Sequence, residues 1–163
     1  MNSFLRLLDQ PSEGEDALCA QIGYVTALMA RSQSHARLDF SVIRTLVTPA
    51  IRHRQLKVYF DEDGTPVGYV IWVRVAADVE ARFLSGAPTA LHESEWNEGN
   101  RLWVIDLLAP LGHVRYILRD LRDNVFRDQH CARYFRVKDN RRLVKEVVRD
   151  PRLSFFREAA AHA

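Results

Sequence analysis

An α/β domain, with helices packed on a mixed sheet in the order ααββα(α)βαβ, is the fold class this sequence predicts. Three observations point to it. Before Pro49, apolar residues recur at helical spacing; after Gln55 the pattern changes to β-branched runs split by a turn. The run Leu102 to Leu108 is apolar on both faces, as a central strand is. With 163 residues, 47% of them hydrophobic, the chain is long enough for one core and too short for two comfortable ones. We therefore read 1–163 as a single domain, with the tail after about 138 the least defined part.

Taken in order, Ser12 and Glu15 form a capping-box pattern ahead of Leu18, Ile22, Val25, Leu28 and Met29, which predicts a first helix. It should stop near Ala30, because residues 31–35 break the apolar period, and Cys19 within it reads as a small buried residue. Asp39 is a plausible N-cap for a second helix carrying Val42, Ile43, Leu46 and Val47, which Pro49 either kinks or restarts. Leu56 to Phe60 and Val67 to Val75 read as strands joined by a turn at residues 62–66. Residues 76–84 look helical, and Gly86-Ala87-Pro88 ends that stretch. Leu102 to Leu108 is the third strand. Pro110 and Gly112 then turn the chain into a helix with Val114, Ile117, Leu118, Leu121 and Val125 on its apolar side. Cys131 to Val137 is a fourth strand. In the tail, Leu143, Val144, Val147 and Val148 fit a helix by spacing and an edge strand by composition.

Composition excludes several classes. Charged residues at 27% argue against both a disordered and a membrane-embedded chain, and a net charge of +2 gives no ground for a nucleic-acid partner. Lys57, Lys138 and Lys145 are the only lysines, so arginine carries the positive charge, and its fork suits phosphate and carboxylate. Cys19 and Cys131 have neither metal-ligand spacing nor a CxxC pairing, so we expect no metal and no disulfide framework. The N-terminus opens no apolar run of signal length, which makes the cytoplasm the expected compartment.

Three features depart from what a plain core needs. Asp106 interrupts an apolar strand, on the face shared with Leu102, Val104 and Leu108. A carboxylate there requires a partner or a wet cleft, and a structural ion pair or a catalytic role would both supply one. Ser32-x-x-His35 leaves the first helix; a histidine paired with Asp106 would be a competent general base, and a surface loop histidine is the plainer alternative. The strand–Pro-x-Gly–helix junction at Asp106 to His113 offers backbone N–H groups to an anion, and Arg115, Arg119 and Arg122 follow as a basic stripe that equally fits a solvated face.

An ordered set of short motifs resembles the toxin-activating lysine acyltransferases that accompany RTX protoxins. In order they are Ser32-x-x-His35, Pro49-Ala50-Ile51-Arg52 and Pro66-Val67-Gly68-Tyr69-x-x-Trp72. Gly99-Asn100-Arg101-Leu102-Trp103 follows, then Ile105-Asp106-x-x-Ala109-Pro110-x-Gly112, and finally Arg133 with Arg136-Val137. Two departures stand out: Gln33-Ser34 replaces a common Pro-Leu before the histidine, and His113 stands where an aspartate is common.

The resemblance implies a GNAT-like fold, a mixed β-sheet flanked by helices. It implies transfer of a fatty acyl group from acyl carrier protein to the ε-amine of an internal lysine of an RTX-type protoxin, with no bound cofactor. His35 and Asp106 match the catalytic pair, Ser32 and Tyr69 resemble supporting residues, and dimers are usual among such proteins, which leaves a homodimer open. A lysine amine must lose a proton before it attacks, and its ordinary pKa near ~10.4 keeps it charged in the cytosol. On this reading His35, oriented by Asp106, takes that proton. Backbone N–H groups from Ala109 to Gly112 would hold the donor's phosphate or the thioester oxyanion. The Gly-rich loop with which GNAT enzymes cradle the coenzyme A pyrophosphate is absent, and Arg115, Arg119 and Arg122 would suit an acidic carrier protein. Two alternatives remain open at this level: an N-acyltransferase using acyl-CoA on another amine, and a non-catalytic member that binds a partner.

Overall fold

The structure is a computed structural model that describes residues 6–7, 14–138, 141–150 and 157–158. Among the described residues seven strands lie in chain order in an open mixed sheet flanked by helices, an architecture compatible with the expected GNAT-like one. The strands are β1 (Arg6–Leu7), β2 (Leu56–Phe60), β3 (Pro66–Val75), β4 (Arg101–Leu108), β5 (Cys131–Lys138), β6 (Arg141–Val148) and β7 (Arg157–Glu158). Four pairings, β1 with β2, β2 with β3, β5 with β6 and β6 with β7, are antiparallel; β4 and β5 run parallel. A parallel pair needs a crossover, and helix α4 (Val114–Asp120) lies in the connection between β4 and β5. No helix among the described residues is long and apolar enough to cross a membrane. The chain divides into two compact units, Met1–Ile71 with Asp106–Tyr116, and Trp72–Ile105 with Ile117–Ala163.

The first unit is built on helix α1 (Glu15–Ala30), the helical segment that ends in α2 (Thr48–Arg52), and the β2–β3 hairpin. Val25, Leu28, Met29, Val47, Ile51, Val58 and Tyr59 fill its core, and Tyr24 meets Phe60 edge-on at 5.0 Å between ring centres. The hairpin turn is held by Asp61, whose Oδ1 accepts the N–H groups of Asp63 and Thr65. Its register sets Val58 opposite Tyr69, which fixes where the Tyr69 ring enters the core.

Several expectations need correction here. Helix α1 has Gly14 as its N-cap, at φ 101°, a backbone glycine adopts without strain. Ser12 lies outside the described residues. Cys19 is exposed, because it sits about 180° around the helix from buried Leu28 at ~100° per residue. The second helix is not one regular α-helix. His35–Arg37 forms a 3-10 turn, Ile43–Val47 is π-helical, and only then does α2 begin, with Pro49 in its first turn where a missing N–H costs least. Asp39 does accept the Ser41 N–H at 2.7 Å, as an N-terminal cap does.

The second unit packs Val79, Phe83, Trp96, Trp103, Ile117, Leu121 and Phe126 into its core. Phe83, Trp103 and Phe135 form one aromatic cluster, with centres 4.9 to 5.7 Å apart. Helix α3 (Ala77–Leu84) carries Glu80 into this region, only 9% exposed, where three donors meet it. Trp103 Nε1 donates at 3.1 Å, Arg101 Nε lies 2.6 Å from the second carboxylate oxygen, and Arg133 donates to the first while also pairing with Glu146. Gly99 has no room for a side chain: a Cβ there would lie 1.9 Å from the Val75 carbonyl oxygen. The tail, which by spacing could have been a helix, is strand β6, paired along its whole length with β5.

Candidate active site

Residues 31–38 reverse the chain directly after α1. The Arg31 and Ser32 N–H groups close the helix on Leu28 and Met29, and the Ala36 N–H donates to the Ser32 carbonyl at 2.8 Å. That tight turn puts the side chains of Ser32 and His35 on one side. Ser32 Oγ lies 3.0 Å from His35 Nδ1, and Ser34 Oγ lies 3.1 Å from the same nitrogen.

The other ring nitrogen faces the sheet. His35 Nε2 is 3.1 Å from Asp106 Oδ1, and the Tyr69 hydroxyl donates to Asp106 Oδ2 at 2.6 Å. The Asp106 and His35 side chains are 17% and 18% exposed, enough to be reached from solvent and little enough to strengthen their attraction. An acidic residue within an apolar strand is therefore compensated by one donor from β3 and one from the turn after α1. All of these groups belong to the first unit.

The electrostatics follow from that arrangement. The hydrogen bond to Asp106 raises the His35 pKa above its ordinary 6.5; burial opposes the shift, and the Asp106 charge reinforces it. Burial, then the charge of Asp106 and the hydrogen bond to it, push the Tyr69 hydroxyl far above its ordinary range. Tyr69 is thus a donor at every physiological pH. With Asp106 accepting at Nε2, the neutral imidazole carries its hydrogen there and presents Nδ1 as the basic nitrogen.

The remaining sequence-expected residues are less concerted. The Gly112 N–H, at a residue with φ 86°, already donates to the Ala109 carbonyl at 3.2 Å, so it is engaged in its own turn. Arg115 and Arg119 are exposed on α4. The Arg122 guanidinium grips Asp123 through Nε and Nη2. The turn in which it lies, Leu121–Val125, is π-helical. Among the described residues no group of three or more His, Cys, Asp or Glu side chains is placed to hold a metal. Ser34 is the site residue that sequence reading passed over. Its signal was present, a second hydroxyl adjoining the histidine, but a serine in a polar loop is indistinguishable from solvated chain until the turn is built.

The sequence pattern of the RTX toxin acyltransferase family matches residues 16–149. The leukotoxin-activating lysine-acyltransferase LtxC of Aggregatibacter actinomycetemcomitans is 31% identical over 101 residues, covering 62% of this chain and 59% of that protein. The RTX-II toxin-activating lysine-acyltransferase ApxIIC of Actinobacillus pleuropneumoniae is 32% identical over 101 residues, 62% of each chain. A protein-lysine myristoyltransferase, RtxC of Kingella kingae, is 30% identical over 112 residues, 66% of each. The matches to the first two relatives thus span about three fifths of their length.

Proposed function

The chain belongs to the RTX toxin acyltransferase family, and from that premise we propose that it transfers a fatty acyl group from acyl carrier protein to the ε-amine of an internal lysine of a protoxin, in the cytoplasm, with His35 and Asp106 as a general-base pair. One observation carries the reading: a half-buried histidine holds one ring nitrogen on a carboxylate and turns the other toward hydroxyls at the protein surface.

Chemistry follows from those atoms. Asp106 fixes the tautomer that leaves Nδ1 basic, and it stabilises the imidazolium that forms when His35 takes the amine proton. Tyr69 keeps Asp106 oriented without competing for a proton. The lysine ammonium gives its first proton to solvent, and the neutral amine attacks the thioester carbonyl directly; a C–N bond forms, the C–S bond breaks, and the N–H proton that His35 takes from the attacking nitrogen goes to the departing thiolate. An amide on the acceptor and a free thiol on the donor result. Arg115 and Arg119 suit an acidic carrier protein, which docks through charge complementarity.

The test mixes the full chain with myristoyl-loaded acyl carrier protein and a protoxin fragment and reads lysine acylation by mass spectrometry. Acylation that His35→Ala abolishes is the expected result. Transfer from acetyl-CoA with acyl carrier protein inert would replace this reading by a small-donor N-acyltransferase, and a stable complex without turnover would replace it by a binding role.

A further inference from the structure

Ser34 is the departure from the motif pattern that the base reading leaves unused, and its geometry gives it a task. Ser32 Oγ, Ser34 Oγ and His35 Nδ1 form a closed triangle, with sides of 3.0 Å, 3.1 Å and 3.1 Å. The basic nitrogen has one in-plane lone pair, and it accepts from a serine hydroxyl that lies within 3.1 Å of it. Any proton reaching Nδ1 must either displace that hydroxyl or pass through it. The two serines are not equivalent: Ser32 is half-buried against the turn, whereas Ser34 is exposed. The hydroxyl that meets an incoming amine first is that of Ser34.

We propose that Ser34 Oγ is the port through which the acceptor amine's proton reaches His35 Nδ1, a relay that rests on the base reading above and deepens it. A hydroxyl both accepts and donates, so it can take one proton while giving up another. In the forward step the amine N–H bond breaks and an O–H bond forms on Ser34. The original Ser34 O–H bond breaks, and an N–H bond forms on Nδ1, directly or by way of Ser32. Reversing the shuttle delivers the proton from the imidazolium to the thiolate released from the thioester. No oxidant or further reactant is needed, and both serines end as they began. The arrangement lets the imidazole stay seated on Asp106 throughout, because neither ring nitrogen has to leave its partner to reach the substrate.

The experiment measures kcat and KM for myristoyl-loaded acyl carrier protein and a protoxin fragment in mixtures of light and heavy water, for the full chain, Ser34→Ala, Ser34→Thr and His35→Ala. The relay predicts a curved dependence of kcat on deuterium content in the parent, from two protons in flight. It predicts a linear one in Ser34→Ala, with kcat down of the order of tenfold and KM unchanged. Ser34→Thr restores both rate and curvature. A Ser34→Ala enzyme with the parent's kcat and curvature overturns the relay while an inactive His35→Ala leaves the base intact. An acyl adduct on Ser34 in the mass spectrum also overturns it, since the hydroxyl would then be a nucleophile. Full activity in His35→Ala removes the base reading and the relay with it.

Discussion

Two carboxylates enter otherwise apolar surroundings in this molecule, and they are neutralised in opposite ways. Glu80, in the second unit, is met by Arg101, Arg133 and the Trp103 indole. Guanidinium groups do not give up their protons at any pH a cell reaches, so that charge balance is permanent and its consequence is rigidity. Asp106, in the first unit, is met by a tyrosine and a histidine. The tyrosine cannot ionise and the histidine can, so this balance is reversible by one proton. The same kind of side chain is held by permanent charges in one unit and by a titratable partner in the other, the arrangement the proposed chemistry requires.

The largest expected effect tests that distinction directly. His35→Ala and Asp106→Asn should each lower kcat/KM by about 10²- to 10⁴-fold while leaving the circular dichroism spectrum and melting transition near those of the parent. Loss of folding in either variant would place Asp106 in the same class as Glu80. Glu80→Ala should behave in the reverse manner. It strands two half-buried guanidiniums and an indole N–H, and should cost about 3–5 kcal/mol in denaturant unfolding. At temperatures where the variant is still folded, kcat should be that of the parent.

Smaller effects sharpen the comparison through pH. With His35 as the proposed base its neutral form is the active one, so the acid limb of kcat/KM should fall above pH 6.5, in the direction of the raised pKa. Tyr69→Phe removes a donor from Asp106 and leaves its charge less compensated. The limb should move further up, with a loss in kcat of about tenfold for one hydrogen bond to a charged group. Least in size is the linkage to stability. Because the folded pKa of His35 is raised, the stabilisation from its charged pair with Asp106 is fully present below the ordinary 6.5 and fades as pH rises through the folded value. His35→Gln should flatten that slope in melting temperature against pH, whereas Glu80→Ala should leave it unchanged.

What the sequence disclosed and what it hid divide along the same line. Asp106 was legible because a charge in the run Leu102 to Leu108 violates the local pattern, and His35 because a Ser-x-x-His motif follows a helix end. Strands β2 to β5 followed from β-branched runs and turn residues. Glu80 gave no such signal: an acidic residue on a short helix is ordinary, and its partners Arg101 and Arg133 lie on separate strands. The tail was undecidable by periodicity, since Leu143, Val144, Val147 and Val148 fit two periods; its pairing with β5, not its own preference, makes it a strand. The N-cap was not legible, because Gly14 supplies a backbone conformation that no side-chain motif announces.

The span of chain that the site gathers bears on how the protein comes to life. His35 and Asp106 are 71 positions apart, and Tyr69 and Asp106 are 37. Closing loops of that length is a late, entropy-opposed event, and β4 also depends on a parallel neighbour contributed from beyond α4. No nascent segment emerging from the ribosome carries a working fraction of this site: the histidine is made long before its acid. The constellation closes only after Asp106 has joined the first unit, so the appearance of activity during refolding should not precede the folding of that unit.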